Sequence, residues 1–131
     1  TFKKLWGNRY KMSKKINIKK KFSKFSELWS PKVIAEMNDY QFKIAKIHGE
    51  FVWHKHDETD EVFIVIEGSM KIQFRKKLIN LNQGELFVVP RGVEHKPIAV
   101  NICKIMIIEP KGVKNTGNIN NELTAENDIR I

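Results

Sequence analysis

The chain has 131 residues, a formal net charge of +9 at pH 7 and 41% hydrophobic residues. This length suffices for one domain with a substantial core, and no apolar stretch approaches a membrane span or a signal-peptide core. The single cysteine, Cys103, excludes an intramolecular disulfide. We therefore expect a cytoplasmic protein without a membrane partner, and we expect Cys103 to be buried as a small apolar residue.

The positive charge lies at the N terminus. Residues 1–24 hold ten of the 24 Lys and Arg residues and no acidic residue, so the rest of the chain has 14 basic and 15 acidic groups, a net charge of −1. Such a segment can contact nucleic acid or an anionic membrane surface, but it is more often a solvated tail. We interpret residues 1–15 as a flexible arm and expect no nucleic-acid partner. Met12 followed by Ser13 resembles a native start, which would make residues 1–11 an upstream extension.

An amphipathic helix is predicted over residues 18–29. Its apolar residues recur at spacings of four, three and four, with lysines on the opposite side: Ile18, Phe22, Phe25 and Trp29. Pro31 disfavours helical geometry in the residue before it and ends the helix there. We interpret the aromatic stripe as core packing that covers one face or end of the domain.

From Pro31 onward the pattern has the period of β-strands. Residues 33–37 and 40–44 flank the turn pair Asn38-Asp39 and are predicted to form a hairpin. Further apolar runs between turn residues are 51–56, 61–66, 70–75, 78–81, 86–89, 95–100 and 102–109. Nine or ten short strands indicate a single all-β barrel or sandwich over residues 16–110, with the helix leading it. Residues 111–131 lack periodicity and are expected to pack on the surface as a tail.

Metal-binding residue types are concentrated in and after the run 54–61. Side chains at i and i+2 of a strand share a face, so His54 and His56 are expected to project together. Glu61 opens the next strand, and His95 follows a tight turn later in the chain. Three imidazoles and one carboxylate converging on one point make a metal site. We leave His48 out of the site because a glycine interrupts its strand.

The donor types do not select one metal. Divalent Fe, Mn, Ni, Co and Zn all suit three imidazoles and one carboxylate with one or two open positions. Open positions allow a substrate or dioxygen to bind, or a bound water to become acidic. Val52, Phe63 and Val65 lie on the ligand-bearing faces and are expected to line an apolar pocket that suits a small organic ligand.

The order of glycines and ligands resembles the two motifs of the cupin superfamily. These are Gly49-x4-His54-x-His56-x4-Glu61-x6-Gly68 and Gly84-x5-Pro90-x-Gly92-x2-His95. The first glycine is one residue closer to His54 than in the usual pattern, and Ala99 stands where the second motif usually has asparagine. The resemblance implies a conical double-stranded β-barrel, or jelly roll, with the metal inside its mouth. The chain is most similar to small single-domain cupins of the mannose-6-phosphate isomerase-like kind, which implies a homodimer.

Two functions follow from this resemblance. One is a metal-dependent enzyme of the isomerase, dioxygenase or lyase type that acts on a small organic molecule. In such an enzyme Glu61 could also leave the metal and serve as a base. The alternative is a non-catalytic module that binds or senses a small molecule, because no additional His, Asp or Tyr is evident as a dedicated acid or base.

Overall fold

The computed structural model describes residues 14–131 and contains seven strands and one helix in this part of the chain. The helix α1 spans Ile18–Phe22. The strands are β1 (Lys32–Met37), β2 (Tyr40–Glu50), β3 (Glu61–Glu67), β4 (Ser69–Gln73), β5 (Leu78–Asn82), β6 (Leu86–Val89) and β7 (Lys96–Pro110). All the pairings between these strands are antiparallel. The predicted all-β fold with one N-terminal helix is confirmed.

The long strand β7 joins the two parts of the sheet. Its C-terminal half lies between β2 and β3 in the order β1-β2-β7-β3-β6, and its N-terminal half pairs with β4, which pairs with β5. Alternate residues of β2 to β7 point into one shared core. Its buried members include Ala45, Ile47, Phe63, Val65, Met70, Ile72, Leu81, Val89, Ala99, Cys103, Ile105 and Ile107. Six strands therefore enclose one apolar interior, and Cys103 is buried in it as predicted.

The prediction of nine or ten short strands is wrong, because two expected strands form one continuous strand and another expected strand is absent. The break expected at residues 48–49 is a register shift within β2, where Gly49 has a φ of 82°. The segments expected at 95–100 and 102–109 form the single strand β7, since its neighbours continue to pair with it. Residues 51–56 are not a strand and contain only an isolated bridge from His54 to His95.

The predicted helix starts where expected but ends at Phe22 instead of residue 29. Asn17 caps its start by accepting a hydrogen bond of 2.9 Å from a first-turn N–H. Trp29 has a φ of 58°, which is outside the range of right-handed helices. The backbone N–H of Trp29 donates to the carbonyl of Lys46 in β2 at 2.9 Å. Bonding to the sheet thus replaces helical bonding after the first turns.

The aromatic stripe is divided between two layers of the molecule. Phe22 is fully buried in a second cluster with Ile44 and Met106, against the face of the sheet that is turned away from the barrel core. Trp29 packs instead against the interior core and stacks on Phe51, with ring centroids 4.6 Å apart. The helical segment therefore covers the outside of the sheet, whereas Trp29 covers one end of the barrel.

The C-terminal tail, residues 111–131, contacts several elements of the barrel. The N–H of Val33 donates to the carbonyl of Ile129 at 2.7 Å, and the N–H of Ile131 donates back to Val33 at 3.2 Å. Thr116 is fully buried. Of the predicted basic arm 1–15, residues 1–13 lie outside the described residues, so the arm stays a prediction. Within residues 14–131, no helix has the length and hydropathy that crossing a membrane requires.

Candidate metal centre

The structure brings His54, His56, Glu61 and His95 together at one end of the barrel interior. Each residue is buried, and one donor atom from each lies within 4.8 Å of those of the other three. Glu61 is the first residue of β3, and His95 immediately precedes β7. His54 and His95 face each other across two backbone hydrogen bonds of 3.1 and 2.9 Å. The sheet itself therefore places two of the donors side by side.

Backbone carbonyls orient two of the three imidazole rings. Nδ1 of His54 lies 2.9 Å from the carbonyl oxygen of Val52, and Nδ1 of His95 lies 2.9 Å from that of Val93. A carbonyl oxygen can only accept a hydrogen bond, so Nδ1 carries the proton in each ring. The neutral rings are thereby left with a lone pair on Nε2, the atom available to a metal.

One carboxylate oxygen of Glu61 faces two of these rings. Its Oε1 atom lies 3.3 Å from Nε2 of His95 and 3.3 Å from Nε2 of His56. Nε2 of His56 is buried and has no hydrogen-bond partner. Lone pairs of neutral imidazoles directed at a carboxylate repel one another, whereas a cation between them satisfies all three groups. The donor set therefore fits a divalent metal ion.

Burial and charge shift the titration of the donors in different directions. Burial, which penalises the charged form of the ring, and the nearby His95, which acts in the same direction, lower the pKa of His54 from 6.5 to about 4. Burial alone would raise the pKa of Glu61, but the neighbouring His56 and His95 rings outweigh burial and hold that pKa well below its usual range. At neutral pH, Glu61 is thus a carboxylate and His54 a neutral imidazole, the forms that bind metals.

Two cavities adjoin the donors. The inner cavity has a volume of about 30 Å³, and His54 and Glu61 lie in its wall together with apolar side chains such as Phe51, Phe63 and Trp29. Of the three residues predicted to line a pocket, only Phe63 does so; Val65 is in the core, and Val52 lies outside the lining. This volume holds about one or two water molecules.

The outer cavity is an open cleft of about 310 Å³ with His56 in its wall. One side is the segment of residues 55–59, and the other is formed by the tail residues 112–114 and 117–118. Basic and acidic side chains line it together, among them Lys55 and Asp57, which form an ion pair of 3.3 Å. The donors therefore separate a small apolar cavity from a larger polar cleft.

Sequence reasoning missed a second pair of charged residues beside the donors. Lys43 and Glu109 are buried at the same end of the barrel, with Nζ and Oε2 3.6 Å apart. Burial, followed by the charge of Glu61, raises the pKa of Glu109 well above its usual value. The two-residue period of β7 could have indicated that Glu109 is buried, because Glu109 alternates in step with the interior residues Ile105 and Ile107.

The other predicted positions are also accounted for. His48, which was left out of the site, is exposed at the end of β2, and its carbonyl accepts a hydrogen bond of 3.0 Å from the indole of Trp29. The two cupin-like motifs lie on the strands and loops that bear the donors.

A protein-family model described as "Cupin domain" matches residues 42–109, more than half of the chain. The chain belongs to the cupins. This cupin is 34% identical over 91 residues to the uncharacterized protein YdbB of Bacillus subtilis (strain 168), a match that covers 66% of this chain and 74% of YdbB. The superfamily predicted from the two motifs is therefore confirmed.

Solved structures of other proteins are similar to this cupin, among them the following two. A cupin-2 domain containing protein from Shewanella frigidimarina NCIMB 400 is 64% identical, with a TM-score of 0.73 over 73% of this chain and 94% of that one. Protein NMB1881 from Neisseria meningitidis is 31% identical, with a TM-score of 0.69 over 75% of this chain and 100% of that one. Both likenesses support the same barrel architecture.

Proposed function

We propose that this cupin binds one divalent transition metal through His54, His56, Glu61 and His95. The observation that carries the proposal is the buried, unpartnered Nε2 of His56, directed with Nε2 of His95 at one oxygen of Glu61. Burying these groups together is costly without a cation. The four donor types by themselves do not select among Fe, Mn, Ni, Co and Zn.

We propose further that the metal-loaded protein is an enzyme acting on a small organic molecule. A metal bound there would supply Lewis acidity, or activation of water or dioxygen. The apolar wall beside His54 and Glu61 would hold a carbon skeleton and exclude water from it. Isomerase, dioxygenase and lyase chemistry are the reaction types that we propose for such a site.

The enclosed volume of the inner cavity restricts how a ligand reaches it. Its wall includes Trp29 and Asn115, which come from the segment after α1 and from the tail. Because about 30 Å³ holds no organic molecule, a ligand must displace these side chains or bind from the cleft beside His56. The ligand is therefore expected to be small and to combine an apolar part with a metal-binding oxygen.

The second candidate is a non-catalytic module that binds or senses a small molecule. It is favoured by the apolar character of the inner cavity, where His54 and Glu61 are the only ionisable side chains among the described residues that line it. Both would be occupied by the metal. A general acid or base would then have to come from Glu109 or from the ligand itself.

Incubation of the metal-loaded protein with a mixture of small sugars, carboxylic acids and phenols, in air, tests the two candidates. Mass spectrometry identifies compounds that are consumed and compounds that co-purify with the protein. Conversion by the wild-type protein but not by His95→Ala supports an enzyme, and retention of a compound without conversion supports the binding module. The control, His48→Ala, is expected to behave like the wild-type protein. Conversion of equal rate in His95→Ala would contradict metal-dependent catalysis.

A further inference from the structure

The C-terminal tail forms hydrogen bonds with the backbone between two of the metal donors. Lys55 lies between His54 and His56, in the segment that is not a strand. Its N–H donates to Oδ1 of Asn118 at 3.0 Å, and its carbonyl accepts the N–H of Asn118 at 3.1 Å. Both backbone polar groups of this residue are thus held by one tail residue, where a neighbouring strand would hold them in a sheet.

The residue before Asn118 makes the closest approach of the tail to the donors. Gly117 has a φ of 58°, and a Cβ atom at this position would lie 2.2 Å from the carbonyl oxygen of Lys55 and 3.2 Å from Nδ1 of His56. A side chain cannot be accommodated there without moving the backbone. The carbonyls of Val52 and Val93 orient the other two imidazoles. For His56, the Gly117 backbone packs beside the ring on its Nδ1 side.

The start of this tail segment is itself held in place by hydrogen bonds. The side-chain amide of Asn115 donates to the carbonyls of Trp29 at 3.0 Å and Leu123 at 2.9 Å. Thr116 is fully buried, and its hydroxyl lies 2.7 Å from that of Thr124. These contacts tie residues 115 and 116 to the segment before β1 and to tail residues 123 and 124, and they hold the support in place.

We infer that residues 115–118 are a positioning element of the metal centre. Asn118 fixes the Lys55 backbone and Gly117 limits the His56 ring, so that Nε2 of His56 is directed at Glu61 before any metal arrives. Binding then costs less ordering of the donors, which raises metal affinity. The inference rests on the proposed metal binding and adds to it a set of residues far from the donors in sequence.

Titration of the metal-free protein with Co²⁺, followed by calorimetry and by the visible absorption of the bound ion, tests this role. Asn118→Ala removes the acceptor for the Lys55 N–H and is expected to weaken Co²⁺ affinity by about tenfold or more and to shift the absorption bands. Asn118→Asp keeps an oxygen acceptor and is expected to restore the wild-type bands. Gly117→Ala is expected to act like Asn118→Ala.

Asn120→Ala is the matched control. Asn120 is exposed in the same tail, and among residues 14–131 its side chain accepts a hydrogen bond only from Lys114. The Asn120→Ala variant should bind Co²⁺ like the wild-type protein. If Asn118→Ala merely melts earlier while its Co²⁺ affinity and bands match those of Asn120→Ala, the positioning role is overturned. If the wild-type protein binds no Co²⁺, the proposed metal site itself fails. Should Gly117→Ala not fold, the Asn118 variants still decide the outcome.

Discussion

At the scale of single residues, the two nitrogens of a histidine ring serve different purposes in this cupin. Nδ1 of His54 and of His95 binds a backbone carbonyl, which leaves Nε2 for the metal. Glu61 contributes the negative charge that makes the site favourable for a cation. The four donors therefore act as one unit. Loss of any one of them weakens the proposed metal binding and leaves the other three polar groups buried without a cation between them.

The first prediction separates the donors from the remaining histidine. His95→Ala removes a direct metal bond in a fully buried position and is expected to lower the bound metal to a small fraction of the wild-type content. His48→Ala is expected to leave metal content unchanged, because His48 is exposed at the end of β2. Elemental analysis of the purified variants measures both. Equal metal content in the two variants would show that the site is misassigned.

The second prediction concerns pH and the metal-free protein. The folded state holds the pKa of His54 at about 4, against 6.5 for the unperturbed group. Between these values the unfolded chain binds one more proton, so this group destabilises the folded state progressively as pH falls from 6.5 to 4, by up to about 3 kcal/mol. Urea unfolding in the presence of a chelator measures the loss. Above pH 6.5 the ring is neutral in both states and this group causes no loss of stability.

His54→Gln isolates the part of the pH dependence that belongs to this ring. Carboxyl groups, including those of Glu61 and Glu109, also have pKa values in the folded state that differ from their ordinary values. The variant retains them and removes only the imidazole. Its stability is expected to fall less steeply between pH 6.5 and pH 4 than that of the wild-type protein. Identical slopes would mean that the pKa of His54 is not lowered by folding.

At the scale of elements, the short helix and the loop after it act as a cover for the sheet. Phe22 is 1% exposed and packs with Ile44 of β2 and Met106 of β7. A helix of five residues has little stability of its own, so this burial holds it in place. The cover thereby shields apolar residues on the outer face that the barrel core does not use.

The third prediction tests the energetic weight of this cover. Phe22→Ala removes a fully buried aromatic ring and is expected to lower the free energy of unfolding by about 3–5 kcal/mol. Val100→Ala, at a side chain that is 72% exposed, should change it by less than about 0.5 kcal/mol. Chemical denaturation followed by circular dichroism gives both values. A small effect at Phe22 would show that α1 does not stabilise the sheet.

At the scale of the whole molecule, one edge of the sheet is a candidate for self-association. Among the described strands, β6 pairs only with β3, which leaves its other edge unpaired. Leu86 and Val88 in this strand are 57% and 45% exposed. Exposed apolar residues on an unpaired edge favour pairing with a second copy of the chain. We propose on this basis, and on the resemblance to small cupins, that the protein forms a homodimer.

The fourth prediction is the oligomeric state. Light scattering at micromolar concentration is expected to give twice the mass of one chain. Val88→Lys introduces a charge at the proposed contact and should shift the equilibrium towards monomers, whereas Val100→Lys, in the exposed part of β7, should not. A wild-type protein with the mass of a single chain would contradict the proposal.

The sequence alone determined the fold class, the superfamily and the four candidate donors. The superfamily and the donors depend on local spacing, because the glycines and ligands are contained within the two motifs. The strand period from which His54 and His56 were expected to project together does not apply, since residues 51–56 are not a strand. The start of α1 was predictable for the same reason, since the apolar positions that define its period are close together in the chain.

Only the tertiary structure decided the end of the helix, the Lys43–Glu109 pair and the role of the tail. Trp29 leaves the helix because the backbone of β2 offers it hydrogen bonds, which no local pattern reveals. Glu109 reaches Glu61, and Asn118 reaches Lys55, through pairings between segments far apart in sequence. A single sequence carries periodicity along the chain, but it does not state which distant segments satisfy each other's polar groups, and those contacts complete the site.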